Sequence, residues 1–364
     1  MAVTAQLEFT EDELLANADV KEPLIAGGVR CHGGFADDGT YLSPRTKFRV
    51  PAIEAWRAHH ADVFAKPVID APMELWGHHF PNVDQARYLI SVGVPEPLIA
   101  TLTRIGTVEG YGANIRNLKP SNLQRFFDED IRGTAVDHLG AGLFEAHGRD
   151  EAGWELEAGH KDMWFAARDI AFEDRSADVD IEAMLGRMGF GPQGRDASEV
   201  VRLLPADIDV QLEFMVALMI RVMFIEISAF HTFRWAEAVL GDSDLVAGEG
   251  SAGDLVSFIR SDETPHVAWL RTALSEMGDR TWLGNGGRRH AGADMISLLW
   301  DRAVADSVLL RRSENINSAM GEVEHALSGR SDAVDIIDEM LSLGSVVRLD
   351  DGTVADACGP APLG

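Results

Sequence analysis

Glu226 lies within residues 210–230, Val-Gln-Leu-Glu-Phe-Met-Val-Ala-Leu-Met-Ile-Arg-Val-Met-Phe-Ile-Glu-Ile-Ser-Ala-Phe, the most apolar long stretch of the chain. A carboxylate in such a segment is buried, and a buried carboxylate needs a counter-charge, a proton or a metal ion. Further on comes Glu263-Thr-Pro-His266. Residues three apart on a helix are neighbours, so this spacing presents a carboxylate and an imidazole on one face. The carboxylate can bridge two metal ions while the imidazole binds one of them. A buried Glu plus a Glu-x-x-His on the next helix is half of a carboxylate-bridged two-metal site.

The other half must come from elsewhere. Two more Glu-x-x-His pairs occur, Glu157-Ala-Gly-His160 and Glu322-Val-Glu-His325. The face of Glu157 and His160 continues through Trp164, Ala167 and Ala171, and Gly159 lets another backbone come close. Glu322 and His325 sit among Ser, Asn, Glu and Gly, as on a solvated helix face. The face of Glu263 and His266 continues to Trp269 and Leu270, where the helix is apolar. Pro265 either kinks that helix or marks its start. Arg221 is the rival partner for Glu226, but five residues away it faces elsewhere on the helix. The last carboxylate belongs on a helix over 121–147, whose inward face reads Phe127, Ile131, His138, Gly142, Glu145. Helical phase favours Glu145, whereas the separation from Glu157 favours Glu129. His138 is either a core histidine or a partner of the site.

The elements needed to position these groups are helical. Thr10-Glu-Asp-Glu13 reads as a capping box opening a helix to about 18. Residues 19–50 read as an irregular Gly- and Asp-rich loop without a strong hairpin signal. Pro51 suits the first turn of a helix to about 65, and short helices follow near 83–92 and 95–107. Longer helices are expected over 121–147, from Ser121 as N-cap, and then over 155–174, 207–240 and 254–278. Residues 148–153 read as a turn and 175–206 as a long connection. Helices near 292–328 and 331–343 and a frayed tail complete the chain. The expected organisation is an N-terminal elaboration (1–115), a bundle (116–280), C-terminal helices (281–345) and a tail (346–364). Two helices, a long connection and two more helices is the order of a bundle with one long crossover.

Glu145, Glu157-x-x-His160, Glu226 and Glu263-x-x-His266 together resemble the ferritin-like di-iron carboxylate superfamily. The resemblance covers residues 121–278. It implies an all-α, ferritin-like four-helix bundle holding two iron or manganese ions, with N- and C-terminal helical elaborations. Glu157 and Glu263 would bridge or chelate, His160 and His266 would each bind one ion, and Glu145 and Glu226 would be terminal ligands. Within the superfamily, cage-forming iron storage fits a chain of 364 residues poorly. A radical-generating subunit needs a Tyr beside the metals, and Tyr41, Tyr88 and Tyr111 lie outside the four expected bundle helices. An oxidoreductase that activates O2 on a small organic substrate is left, with Trp164, Phe230, Trp235 and Trp269 as candidates to line an apolar chamber. No nucleotide-binding loop stands out, which implies an external electron donor. Two alternatives stay open. One is a heme-oxygenase-like di-iron oxidase drawing on His138, Glu145 and His231; the other is a metal-free helical binding or structural protein.

Bulk properties narrow the partners. The formal charge of −27 and pI near 4.7 oppose binding to nucleic-acid backbones or an anionic membrane surface. Cys31 and Cys358 form no Cys-x-x-Cys and no disulfide framework. Residues 210–230 could span a bilayer by length, but Glu213, Arg221 and Glu226 interrupt them. With no basic-then-apolar leader, the expectation is a cytoplasmic protein, with a homodimer as a common arrangement for such bundles.

Overall fold

The computed structural model describes residues 6–173, 202–344 and 346–356. The chain is mostly helical, with three small antiparallel sheets. Its helices are α1 (Glu11–Leu14), α2 (Arg49–Phe64), α3 (Val83–Ser91), α4 (Glu96–Gly112), α5 (Phe144–Ala152), α6 (His160–Ala171), α7 (Val210–Leu240), α8 (Ser251–Gly278), α9 (Gly292–Val304), α10 (Arg311–Ala326) and α11 (Ala333–Ser342). Most of the expected connection over 175–206, and Cys358, lie outside the described residues. No described helix is long and apolar enough to cross a membrane.

Local signals set several boundaries. Thr10 accepts from the Glu13 amide and Glu13 returns a bond to the Thr10 amide, the reciprocal capping box that starts α1. Asp209 caps α7 through the Gln211 amide. Pro265 sits inside α8, which begins at Ser251, so the proline does not mark a helix start. Gly153, with φ of 80°, ends α5 in a conformation that suits glycine.

Two expectations fail in the first half of the chain. Residues 19–50 are not an irregular loop. They build a sheet of β1 (Glu22–Ala26), β2 (Val29–Phe35) and β3 (Tyr41–Leu42), turned at Gly27-Gly28 with φ of 56° and 79°. Positive φ at both central residues is what a two-residue hairpin turn requires. The second failure is the helix over 121–147. It breaks into a 3-10 turn at Leu123–Phe126, irregular backbone, and a π turn at Leu139–Leu143 with Gly142 at φ 138°, before α5 begins. A Cβ at Gly142 would meet Leu14 at 2.9 Å.

Helix packing leaves two apolar cores with a gap between them. One core takes Leu212 to Ile227 of α7 and Trp269 to Met277 of α8, with residues of α2 and α9. The other takes Phe233 to Leu240 of α7 and Ala252 to Ile259 of α8, with residues of α3, α4, α6, α10 and α11. The gap falls at 227–233 on α7 and 259–269 on α8, beside the stretch where Glu226, Asp262, Glu263 and His266 lie buried.

One backbone crossing holds the end of α5 against the start of α6. A Cβ at Gly159 would lie 2.2 Å from the Gly153 nitrogen and 2.5 Å from the Asp150 carbonyl. Gly159→Ala is therefore expected to destabilise the metal-free protein by roughly 2–4 kcal/mol. Gly321→Ala, at an exposed position of α10 with open space around it, should be neutral or stabilising by up to about 1 kcal/mol. Urea midpoints of the two variants check this, and equal shifts would contradict the crossing.

Candidate metal centre

Five helices bring seven side chains of types that can bind metal to one place. Glu109 comes from α4, His147 and Glu151 from α5, His160 from the first position of α6, Glu226 from α7, and Glu263 and His266 from α8. Six of them are buried and Glu109 is partly so. Their ligand atoms form two overlapping groups, each within 4.8 Å: Glu109, Glu151, His160 and Glu263, and His147, Glu151, Glu226 and His266.

Two carboxylates link the groups. Glu263 Oε1 lies 2.7 Å from His160 Nδ1, and its Oε2 lies 2.6 Å from His266 Nδ1. Glu151 does the same from the other helix, with Oε2 3.4 Å from His160 Nδ1 and Oε1 3.2 Å from His266 Nδ1. His147 Nε2 stands 3.5 Å from Glu226 Oε1 and 3.7 Å from Glu151 Oε1. Glu109 accepts from Trp164 Nε1 at 3.1 Å. The close approach of α4 to Glu151 uses Gly112, whose Cβ would stand 3.0 Å from Glu151 Cγ.

The polar atoms of this cluster are largely unsatisfied by the protein. Both oxygens of Glu151 and Glu263, both ring nitrogens of His147 and His160, and Nδ1 of His266 are buried without an aligned hydrogen bond. A buried orphan group costs about 1–3 kcal/mol, and more when charged. The carboxylate oxygens of Glu151 and Glu263, Nδ1 of His160 and His266 and Nε2 of His147 face one another closely enough to share a cation as partner. Their chemistry fits divalent cations: four carboxylates and three imidazoles, the donors that iron and manganese accept.

An outer ring of charge orients two of the three cluster histidines, His266 and His160. His266 Nε2 donates to Asp150 Oδ2 at 2.8 Å, which leaves Nδ1 for the cluster. Asp150 is in turn gripped by Arg45 at 2.5 Å and Arg49 at 2.7 Å. On the other side, His160 Nε2 is 3.6 Å from Asp262 Oδ2. Asp262 also accepts from His32 at 3.1 Å and from the Tyr41 hydroxyl at 2.9 Å. Arg45 Nη2 donates to His32 Nδ1 at 3.2 Å and so ties the two arms together. Strand β2 delivers His32 by pairing with the segment before α6, through Ala158 N to Arg30 O and His32 N to Ala158 O, each 2.9 Å.

Electrostatics follow from this crowding. Burial, then the charges of Glu151 and Glu263, raises the pKa of Glu109 well above the usual range. Burial, then Glu263 and Glu151, does the same to Glu226. Burial also opposes charge on Glu263, but His160 and His266 outweigh it and hold the carboxyl well below its ordinary value. For His160 and His266 burial acts downward and is outweighed by Glu263 and its neighbours, so both lie well above 6.5. His147 goes the other way, down to about 3, through burial and the nearby His266. Asp150 stays charged: Arg45, Arg49 and His266 overcome the burial that disfavours it.

Of the expected ligands, Glu226, Glu263, His266 and His160 meet in the cluster, whereas Glu145 and Glu157 do not. Glu145 pairs with Arg149 on the same helix at 2.8 Å, because its phase was reckoned along a helix that breaks before residue 144. Glu157 lies in the bridge before α6 and pairs with Arg30 at 3.2 Å, so it shares no helix face with His160. Glu129 instead accepts from the amide and hydroxyl of Thr281. His138 is held by the Phe9 amide and the Thr134 carbonyl, and His231 by the Met73 carbonyl. Glu322 pairs with Arg104 and His325 is exposed, in keeping with a surface face.

Three members of the cluster escaped sequence reasoning: Glu109, His147 and Glu151. The residues 148–153, read as a turn, are helical through Ala152, so His147 and Glu151 form an i, i+4 pair. A search for His-x-x-x-Glu besides Glu-x-x-His would have found it. Glu109 lies on α4, past the expected helix end at 107, and Tyr111 shares that helix. Comparison with protein-family models, with curated proteins and with solved structures finds no match to the chain.

Two outcomes follow. Asp150→Asn should lower affinity for Fe(II) or Mn(II) about 10–100-fold, as expected for loss of a carboxylate that orients a ligand imidazole; a competition titration with a chelating dye reads it. The raised pKa values of His160, His266, Glu109 and Glu226 favour their protonated forms in the metal-free cluster, and metal must displace those protons. Titration in weak buffer should release more than one proton per chain, and affinity should rise with pH. Proton-neutral binding would contradict these assignments.

Proposed function

We propose that the protein is a two-metal carboxylate oxidoreductase that activates O2, with iron or manganese, on a small organic substrate. The observation that carries this reading is the pair of carboxylates, Glu151 and Glu263, each offering its two oxygens to opposite imidazoles. His160 and Glu109 would serve one ion, His147, His266 and Glu226 the other, and Glu151 and Glu263 both.

The charge count supports two divalent ions. Four carboxylates face the cluster, which two divalent cations would balance. Outside it, Asp150 is matched by Arg45 and Arg49, and Asp262 faces His32 and His160. The connectivity supports a ferritin-like four-helix bundle, with a different first helix from the one expected. Helix α4 packs on α6, α7 packs on α8, and α6 packs on α8, with the long connection between α6 and α7. In this reading α4 replaces 121–147 as the first bundle helix, and α5 is an extra ligand-bearing helix.

When bound, such an ion pair supplies electrons for O2 reduction and the oxidising power for the substrate. The chain's own residues prepare the place. Asp150 and Asp262 hold the two imidazoles with Nδ1 turned inward. The apolar cores on either side keep bulk water from the carboxylates, which strengthens their charge interactions. Trp164 fixes Glu109 by its indole N–H. The residues proposed for a heme-oxygenase-like arrangement, His138, Glu145 and His231, are engaged elsewhere. A metal-free core would leave both oxygens of Glu151 and both ring nitrogens of His147 buried without an aligned hydrogen bond.

Anaerobic reconstitution with Fe(II), followed by metal analysis and O2 uptake, tests the proposal. About two ions per chain and metal-dependent O2 consumption are expected. Glu151→Ala and Glu263→Ala should lose more than half of the metal, whereas Glu145→Ala, Glu157→Ala and His325→Ala should keep it. Fewer than about one ion per two chains in the unaltered protein would overturn the reading.

A further inference from the structure

A cavity of about 260 Å3 opens at the surface where α2, α7 and α8 meet. Its polar lining is Arg57, Thr264 and Arg271, and its apolar lining includes Val68, Phe230 and Val267. Phe230 follows Glu226 by four residues on α7, and Val267 follows Glu263 by four on α8. Positions four apart share a helix face about one turn along, so the apolar wall is built on the same faces as two of the proposed ligands. Arg57 and Thr264 are exposed, whereas Phe230 and Val267 are half-buried.

The two guanidinium groups differ in how far they are committed. Arg271 donates from Nε to the Ile69 carbonyl at 2.8 Å and lies 3.0 Å from Asp70 Oδ1. Asp70 is 65% exposed, so water screens that pair. Arg57 has no ion pair among the described residues. In a chain of net charge −27, two arginines from separate helices at one mouth are a local reversal of sign. Guanidinium groups suit carboxylates by charge and by paired N–H donors.

We propose that this cavity binds a small organic monocarboxylate, its charged head at Arg57 and Arg271 and its apolar body against Phe230 and Val267. The cavity is the substrate chamber of the two-metal centre, and this part rests on the function proposed above. The volume holds about nine waters' worth of liquid at ~30 Å3 each, which suits an acid the size of benzoate or octanoate. Of the four aromatic residues expected to line a chamber, Phe230 lines this cavity, whereas Trp164, Trp235 and Trp269 are core residues.

Octanoate and benzoate, with 1-octanol, benzyl alcohol and inorganic phosphate as comparisons, are titrated into the metal-loaded full chain by calorimetry. The acids should bind at least about tenfold more tightly than the alcohols or phosphate. The Arg57→Ala, Arg271→Ala double variant should abolish that preference without changing metal content, and Phe230→Ala should weaken acid and alcohol alike. Equal binding of acid and alcohol, phosphate binding as tight as the acids, or an acid preference that survives the double variant would overturn the anion site. With Mn(II) bound, the octanoate methyl protons should be broadened more than those beside the carboxylate. The reverse order, or no broadening of either, would overturn the chamber. Metal analysis on the same samples separates the two proposals: acid preference without bound metal removes the oxidoreductase reading and the chamber but leaves the carboxylate site, and bound metal without acid preference removes the carboxylate site alone.

Discussion

Four carboxylates held together in the protein interior are the constraint that shapes this molecule. Each would repel the others and lose its hydration, at a cost far above the stability of a folded domain. The fold meets this by raising the pKa values of Glu109 and Glu226, which favours their neutral forms, and by setting the imidazoles of His160 and His266 against Glu263 and Glu151. The two apolar cores stop short of this layer on both α7 and α8. The polar layer is thus confined to the middle of α7 and α8, where side chains from five helices converge.

The outer charges matter as much as the inner ones. Arg45 is buried, carries φ of 53° in the left-handed region, and touches both Asp150 and His32. A non-glycine residue in that region is strained, and such strain persists only where the surroundings over-determine it. Here the surroundings are the Asp150 carboxylate, the His32 ring and the Asn17 side chain, which accepts the Arg45 amide at 2.7 Å. One guanidinium therefore joins the arm that orients His266 to the arm that orients His160. The sheet, the turn after it and α2 contribute His32, Tyr41, Arg45 and Arg49, so segments outside the main helices complete the site.

The positions that were legible in advance share a physical trait. Glu226, Glu263 and His266 lie on long, uninterrupted helices, where spacing along the chain converts directly into a face. The long helices α7 and α8 appear within a few residues of their expected bounds, because apolar content and flanking Gly-rich loops mark them. His160 was identified for a reason that did not hold: its neighbour Glu157 lies off the helix, and the imidazole reaches the cluster from the first helical position. The role foreseen for Gly159, allowing a close backbone, is the one the crossing with Gly153 shows. Glu145 was misplaced because phase accumulates over a helix that the π turn and Gly142 interrupt.

What the sequence by itself determined is local: a buried charge in an apolar helix, a Glu-x-x-His on the next, the capping of α1, and a chain dominated by helices. These follow from periodicity and from the cost of burying a charge, both of which act within a few turns. Tertiary structure alone decided the rest of the constellation. Glu109, His147, Glu151 and the ring of Asp150, Asp262, His32 and Arg45 come from segments up to about 230 residues apart. No short-range pattern joins them, because what selects them is the shared need of buried charges for partners across the core. Glu226 has that need too, and its partners prove to be imidazoles from α5 and α8.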